Sequence, residues 1–124
     1  MKRFLKLLVA SLVAVFAVSS LAACTEGEPM SASDYAKVID VRTIEEWNEG
    51  YLEGAVRMGI ADADFQQQLE SLDKSANYYI YCRSGNRAGQ AIDMMEAMGF
   101  TGTLVNGGAV ANASNQLGLP IVTG

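Results

Sequence analysis

From residue 37 onward the chain alternates short β-prone runs with stretches whose apolar residues recur every three or four positions. Lys37 to Val41 is a β-branched run and reads as a buried strand. Thr43 is followed three positions later by Glu46, the capping-box spacing, which predicts a short helix to about Asn48 that stops at Gly50. Gly54 to Met58 predicts a second short strand. From Asp62 onward, Phe65, Leu69 and Leu72 form one apolar helical stripe. Tyr78-Tyr79-Ile80-Tyr81 is strongly β-prone and runs directly into Cys82. Beyond a glycine-containing loop, Ala88, Ala91, Ile92, Met95 and Met98 define an amphipathic helix ending at Gly99. Thr103 to Val105 predicts a further strand, closed by Gly107 and Gly108. Strands alternating with helices define an α/β layered domain with a largely parallel central sheet. The methionines at helical spacing and Trp47 are assigned to its core.

The N-terminal pattern is different. Lys2, Arg3 and Lys6 precede an almost wholly apolar run, Leu7 to Leu21, of 15 residues. A spanning helix needs roughly 20, so the basic flank and short apolar core describe a secretory signal. Leu21-Ala22-Ala23-Cys24 resembles the lipobox of bacterial lipoproteins, which implies cleavage before Cys24 and a diacylglycerol on its sulfur. The alternative is an ordinary secretory signal that happens to end in Cys. Two acyl chains anchor stably where one does not. By resemblance to lipoprotein sorting, Thr25 rather than Asp after the lipidated Cys implies the periplasmic side of the outer membrane in a Gram-negative envelope. In other envelopes the expected place is the outer face of the cell membrane. The expected organisation is a cleaved signal over 1–23, a polar tether over 24–33 containing Gly27 and Pro29, and one domain over 34–124.

Charge and composition then exclude whole classes of function. The signal takes three of the nine basic residues and none of the fourteen acidic ones, leaving a mature chain of 101 residues with a formal charge of −8. Such a surface holds neither nucleic acid nor anionic lipid by charge. The chain contains no His, so a His metal site and a His general base are both excluded; no metal or cofactor is expected. With Cys24 lipidated, Cys82 is the sole thiol and has no internal disulfide partner. A free Cys can serve as a small apolar core residue. In an oxidising compartment an unpaired Cys needs a reason to be there, and counting alone leaves the two readings even.

The surroundings of Cys82 favour chemistry. It lies where a strand ends and a helix begins, the edge at which α/β folds bind ligands. Unpaired amides and the helix dipole favour an anionic sulfur at such a position, and neighbouring arginines, here Arg83 and Arg87, act the same way. Gly85 allows the backbone to fold into a cradle of converging amides.

Ile39-Asp40-Val41-Arg42-Thr43, then Glu45-Glu46-Trp47 and Gly50-Tyr51-Leu52-Glu53-Gly54-Ala55, resemble the N-terminal signature of single-domain rhodaneses. Tyr79 to Ala88 resembles their active-site loop, and Gly99-Phe100 and Asn106-Gly107-Gly108 also match. The resemblance covers about residues 38–124 and is strongest to the short, exported phage-shock type. It implies a three-layer rhodanese domain acting as a thiosulfate sulfurtransferase. Cys82 is then the nucleophile that becomes a persulfide, passing its sulfur to cyanide or a thiol. The amides of Arg83, Ser84, Gly85, Asn86 and Arg87 hold the persulfide, while Arg83 and Arg87 attract the anionic donor. Asp40 and Arg42 are read as an ion pair or cap supporting the loop. Two departures stand out. Tyr51 replaces a common His, and residues 109–115 are small and polar where the family has an apolar helix with a Trp. Two other functions share the fold. One is a persulfide carrier or sulfur sensor acting on a thiol partner protein. The other, a phosphatase or arsenate reductase, has five residues between Cys and Arg; here four intervene, a tighter cradle matched to a single sulfur atom.

Overall fold

The structure is a computed structural model that describes residues 31–124. The expected signal segment and Cys24 lie outside the described residues. In chain order the elements are β1 (Lys37–Asp40), α1 (Ile44–Glu49), β2 (Tyr51–Leu52), β3 (Val56–Arg57), α2 (Phe65–Glu70), β4 (Tyr78–Cys82), α3 (Asn86–Ala97), β5 (Leu104–Ala109), α4 (Val110–Leu117) and β6 (Ile121–Val122).

Four strands form a parallel sheet in the order β3-β1-β4-β5. Strand β4 is central and all five of its residues are buried. Period-2 alternation sends them to opposite faces. Tyr78, Ile80 and Cys82 join Phe65, Leu69, Ala88 and Met95 on the face covered by α2 and α3. Tyr79 and Tyr81 join Val38, Leu52, Ala113 and Leu117 on the face covered by α4 and β2. A strand buried on both faces reads as a continuous apolar run, which is why Tyr78 to Tyr81 shows no polar alternation. The result is the expected three-layer α/β domain. Its second, two-stranded sheet, β2 antiparallel to β6, was not legible in the sequence.

Two expectations are corrected. Strand β5 does not close at Gly107-Gly108 but runs through both glycines to Ala109, with an irregularity in its register. Ile80 pairs with Asn106 and Cys82 with Ala109, so three steps on β5 oppose two on β4. Gly107 has no Cβ because the Tyr79 ring occupies that space, and Gly108 sits at φ +71. Ahead of β1, Ser31 caps a 3-10 turn over Ala32–Asp34, with Asp34 reciprocating in a capping box, and Ala32 and Tyr35 pack against the second core cluster. Secondly, Trp47 is not core. It stacks face to face on Tyr51 at 3.8 Å between centroids on the partly exposed α1–β2 edge. Residues 110–117 form a helix as the family pattern implies, burying only Ala113 and Leu117.

Candidate active site

Cys82 is the last residue of β4, and its parallel neighbours place it at the C-terminal edge of the sheet. Its side chain is 0% exposed and packs within the α3-side core. The chain then turns through Arg83 and Ser84 to Gly85, the N-cap of α3, which has φ +91. Only glycine adopts this conformation without strain. A Cβ there would also lie 3.2 Å from the Cα of Gly108. This turn brings the chain back so that the Gly85 N–H donates to Cys82 Sγ at 2.8 Å. Of the five loop amides expected around the sulfur, Gly85 provides this hydrogen bond. Asn86, Arg87 and Ala88 open α3, where first-turn amides have no partner within the helix.

The loop residues differ in what holds them. Arg83, Ser84 and Asn86 are exposed. Arg87 forms a two-pronged pair with Glu46, Nη1 to Oε1 at 2.7 Å and Nη2 to Oε2 at 2.9 Å. Glu46 also accepts from the Thr43 amide and hydroxyl, completing the α1 capping box. The Arg87 hydrogen bonds, aided by the Thr43 contacts, pull the Glu46 carboxyl down to about 2 from an ordinary 4.5. Arg87 in turn is raised, first by its hydrogen bonds to Glu46 and also by the charges of Glu46 and Cys82. The spacing of Thr43 and Glu46 was legible; the reach of Glu46 to Arg87, 41 residues away, was not.

Asp40 and Arg42 are a buried ion pair, with Nη2 to Oδ2 at 2.7 Å and Nε bonding both carboxylate oxygens at 3.0 Å. Burial opposes the Arg42 charge, but Asp40 outweighs it and the pKa rises. The guanidinium also donates to the Gly50 carbonyl at 2.6 Å, which ties β1 to the end of α1. Arg42 lies 5.9 Å from the centre of the Tyr81 ring, whose hydroxyl accepts from the Leu52 amide. These residues therefore brace the strand ends beneath the loop. Tyr51, which stands where the common His would be, stacks on Trp47 and donates to the Gly124 carbonyl.

On the other side of Cys82, Asn106 Nδ2 donates to the Gly85 carbonyl at 2.9 Å. Its Oδ1 accepts from the Gly108 amide at 2.9 Å. Asn112 Nδ2 donates to the Gly107 carbonyl. Asn106 entered the sequence reading only as part of a motif, because a link between residues 21 apart leaves no periodic signal. Among the described residues no group of His, Cys, Asp and Glu could hold a metal ion, and no helix is long and apolar enough to cross a membrane.

A strand-end cysteine in a glycine loop, on a four-stranded parallel sheet covered on both faces, defines the class. The chain belongs to the rhodanese-like domain family, which residues 27–114 match. It is 37% identical over 86 residues to YtwF of Bacillus subtilis (strain 168), a protein provisionally named a sulfurtransferase. The match covers 68% of this chain and 80% of YtwF. It is 29% identical over 63 residues to the thiosulfate sulfurtransferase PspE of Escherichia coli (strain K12), covering 51% of this chain and 61% of PspE. Among solved structures, a rhodanese with anions from E. coli superposes with a TM-score of 0.58 at 26% identity, over 71% of this chain and 98% of that one. Sulfurtransferase function is thereby supported at the level of the family.

Proposed function

We propose that the protein is an exported, lipid-anchored sulfurtransferase that takes sulfane sulfur from thiosulfate or a similar anionic donor. The Cys82 thiolate attacks the outer sulfur of the donor. The donor S–S bond breaks, sulfite leaves with the electron pair, and Cys82 becomes a persulfide. Cyanide or a thiolate then attacks the terminal sulfur, giving thiocyanate or a new persulfide and releasing the Cys82 thiolate. No net oxidant is consumed.

The observation that carries this reading is the Gly85 amide aimed at Cys82 Sγ from a glycine turn at a strand end. Hydrogen bonds from preorganised amides stabilise negative sulfur without reorganisation during the reaction. First-turn amides of α3 supply further donors for the persulfide. Arg83, exposed beside the nucleophile, is the cation available to the donor anion, because Arg87 is already paired with Glu46. The name of PspE supports thiosulfate as a donor. Anchoring rests on the lipobox resemblance at Cys24, and export on the signal pattern ahead of it.

Intact mass after incubation with thiosulfate tests the first half-reaction. The expected result is addition of one sulfur atom, absent in Cys82→Ser, followed by its loss on adding cyanide or a thiol. Turnover of an aryl phosphate without any response to sulfane donors would overturn it.

A further inference from the structure

We infer that Asn106 is a positioning residue for the Cys82 loop, a role that rests on the sulfur-transfer reading only for its effect on the persulfide. Gly85 is the hinge of the site. Its N–H holds Cys82 Sγ, while its carbonyl accepts both the first helical bond of α3, from the Gly89 amide at 3.0 Å, and the side-chain amide of Asn106 at 2.9 Å. The two peptide planes meeting at Gly85 therefore cannot rotate freely once both carbonyl bonds are made.

An exposed Asn bonded to an amide two residues on is usually a local turn device. The bond from the Gly108 amide to Asn106 Oδ1 is of that kind. The bond from Nδ2 to Gly85 is not, since it joins β5 to the loop after β4. Each half depends on the β5 irregularity. The extra residue opposite Ile80–Cys82 brings the Gly108 backbone against Gly85, close enough that a Cβ on Gly85 would lie 3.2 Å from it. Asn106 then spans that contact, one end on each glycine. A loop braced by Glu46 through Arg87 and by Asn106 through Gly85 is held on two sides. Its single-sulfur dimensions are thus maintained when the negative sulfur atom is no longer that of the free thiolate.

Two variants of the full chain separate the halves. Asn106→Ala removes both bonds. Asn106→Asp keeps the acceptor for Gly108 and replaces the donor to Gly85 with a repelling oxygen. Amide hydrogen exchange over residues 83–89 is expected to rise roughly five- to tenfold in both, the ratio one lost hydrogen bond of ordinary strength gives. Segments in β1 and α2 are expected to hold their wild-type rates, and the Cys82 persulfide to decay faster by a similar factor. Wild-type exchange of the loop in either variant overturns the inference. A general rise that includes β1 in Asn106→Ala marks global destabilisation, and Asn106→Asp then decides. If the wild type forms no persulfide with any donor, the sulfur-transfer reading fails while the exchange comparison still tests the brace.

Discussion

Arg87 lays its guanidinium on the Glu46 carboxylate through two hydrogen bonds of 2.7 and 2.9 Å, joining the first turn of α3 to the first turn of α1. The two side chains are 28% and 16% exposed, so solvent screens the pair and its worth is about 1 kcal/mol or less. Its effect on pH dependence is clear in sign. Glu46 titrates at about 2 in the folded protein against an ordinary 4.5. Its contribution is complete above about 4.5 and is lost as pH falls from there towards 2. Urea unfolding at neutral pH and at pH near 3 is expected to show Glu46→Gln losing less stability on acidification than the wild type. Equal losses would remove the pair from any account of acid stability.

At Gly85 a single methyl would strain the turn that holds the Cys82 sulfur. An alanine at φ +91 costs about 1–2 kcal/mol in backbone strain, before its contact with Gly108 is counted. Gly85→Ala is therefore expected to lower unfolding free energy by at least that much. It is also expected to slow sulfur uptake from thiosulfate, measured by intact mass. Wild-type uptake in a folded Gly85→Ala protein would show that the turn at Gly85 is not needed for the chemistry.

Breaking the Asp40–Arg42 pair from one side strands a charge in the core. Asp40 is 0% exposed, and Arg42→Ala would leave its carboxylate without the guanidinium and Gly50 without its donor. The expected cost is about 3–5 kcal/mol. Arg42→Lys keeps the charge but not the fork geometry, and is expected to recover only part of it. Denaturant midpoints for the two variants check this order. A loss under about 1 kcal/mol for Arg42→Ala would mean that water reaches Asp40 readily.

Lipid anchoring has its own test. Cys24→Ser is expected to move the protein from the membrane to the soluble exported fraction, and to abolish incorporation of labelled fatty acid. Sulfur uptake at Cys82 should be unchanged. Retention of Cys24→Ser in the membrane would assign anchoring to another feature.

Much of this protein was legible before any coordinates. Runs of β-prone residues, helical stripes and a capping box are local signals, each set by steric and hydrogen-bonding rules within a few residues. They sufficed for the strand holding Cys82, the helix after it and the α/β class. Absence of His likewise excluded whole chemistries from composition alone. What the coordinates added joins residues far apart in the chain. Glu46 reaches Arg87, Asn106 reaches Gly85, Arg42 reaches Gly50, and β2 finds β6. Trp47, assigned to the core, is instead half-buried at the α1–β2 edge, stacked on Tyr51. The glycines of β5, read as a strand end, instead continue the strand. Only the packed Tyr79 ring at Gly107 and the positive φ at Gly108 show why side chains are missing at those two positions. Local pattern determined where the cysteine loop lies in the chain; the geometry that holds the Cys82 sulfur depends on contacts between distant segments, which exist only once the chain has packed.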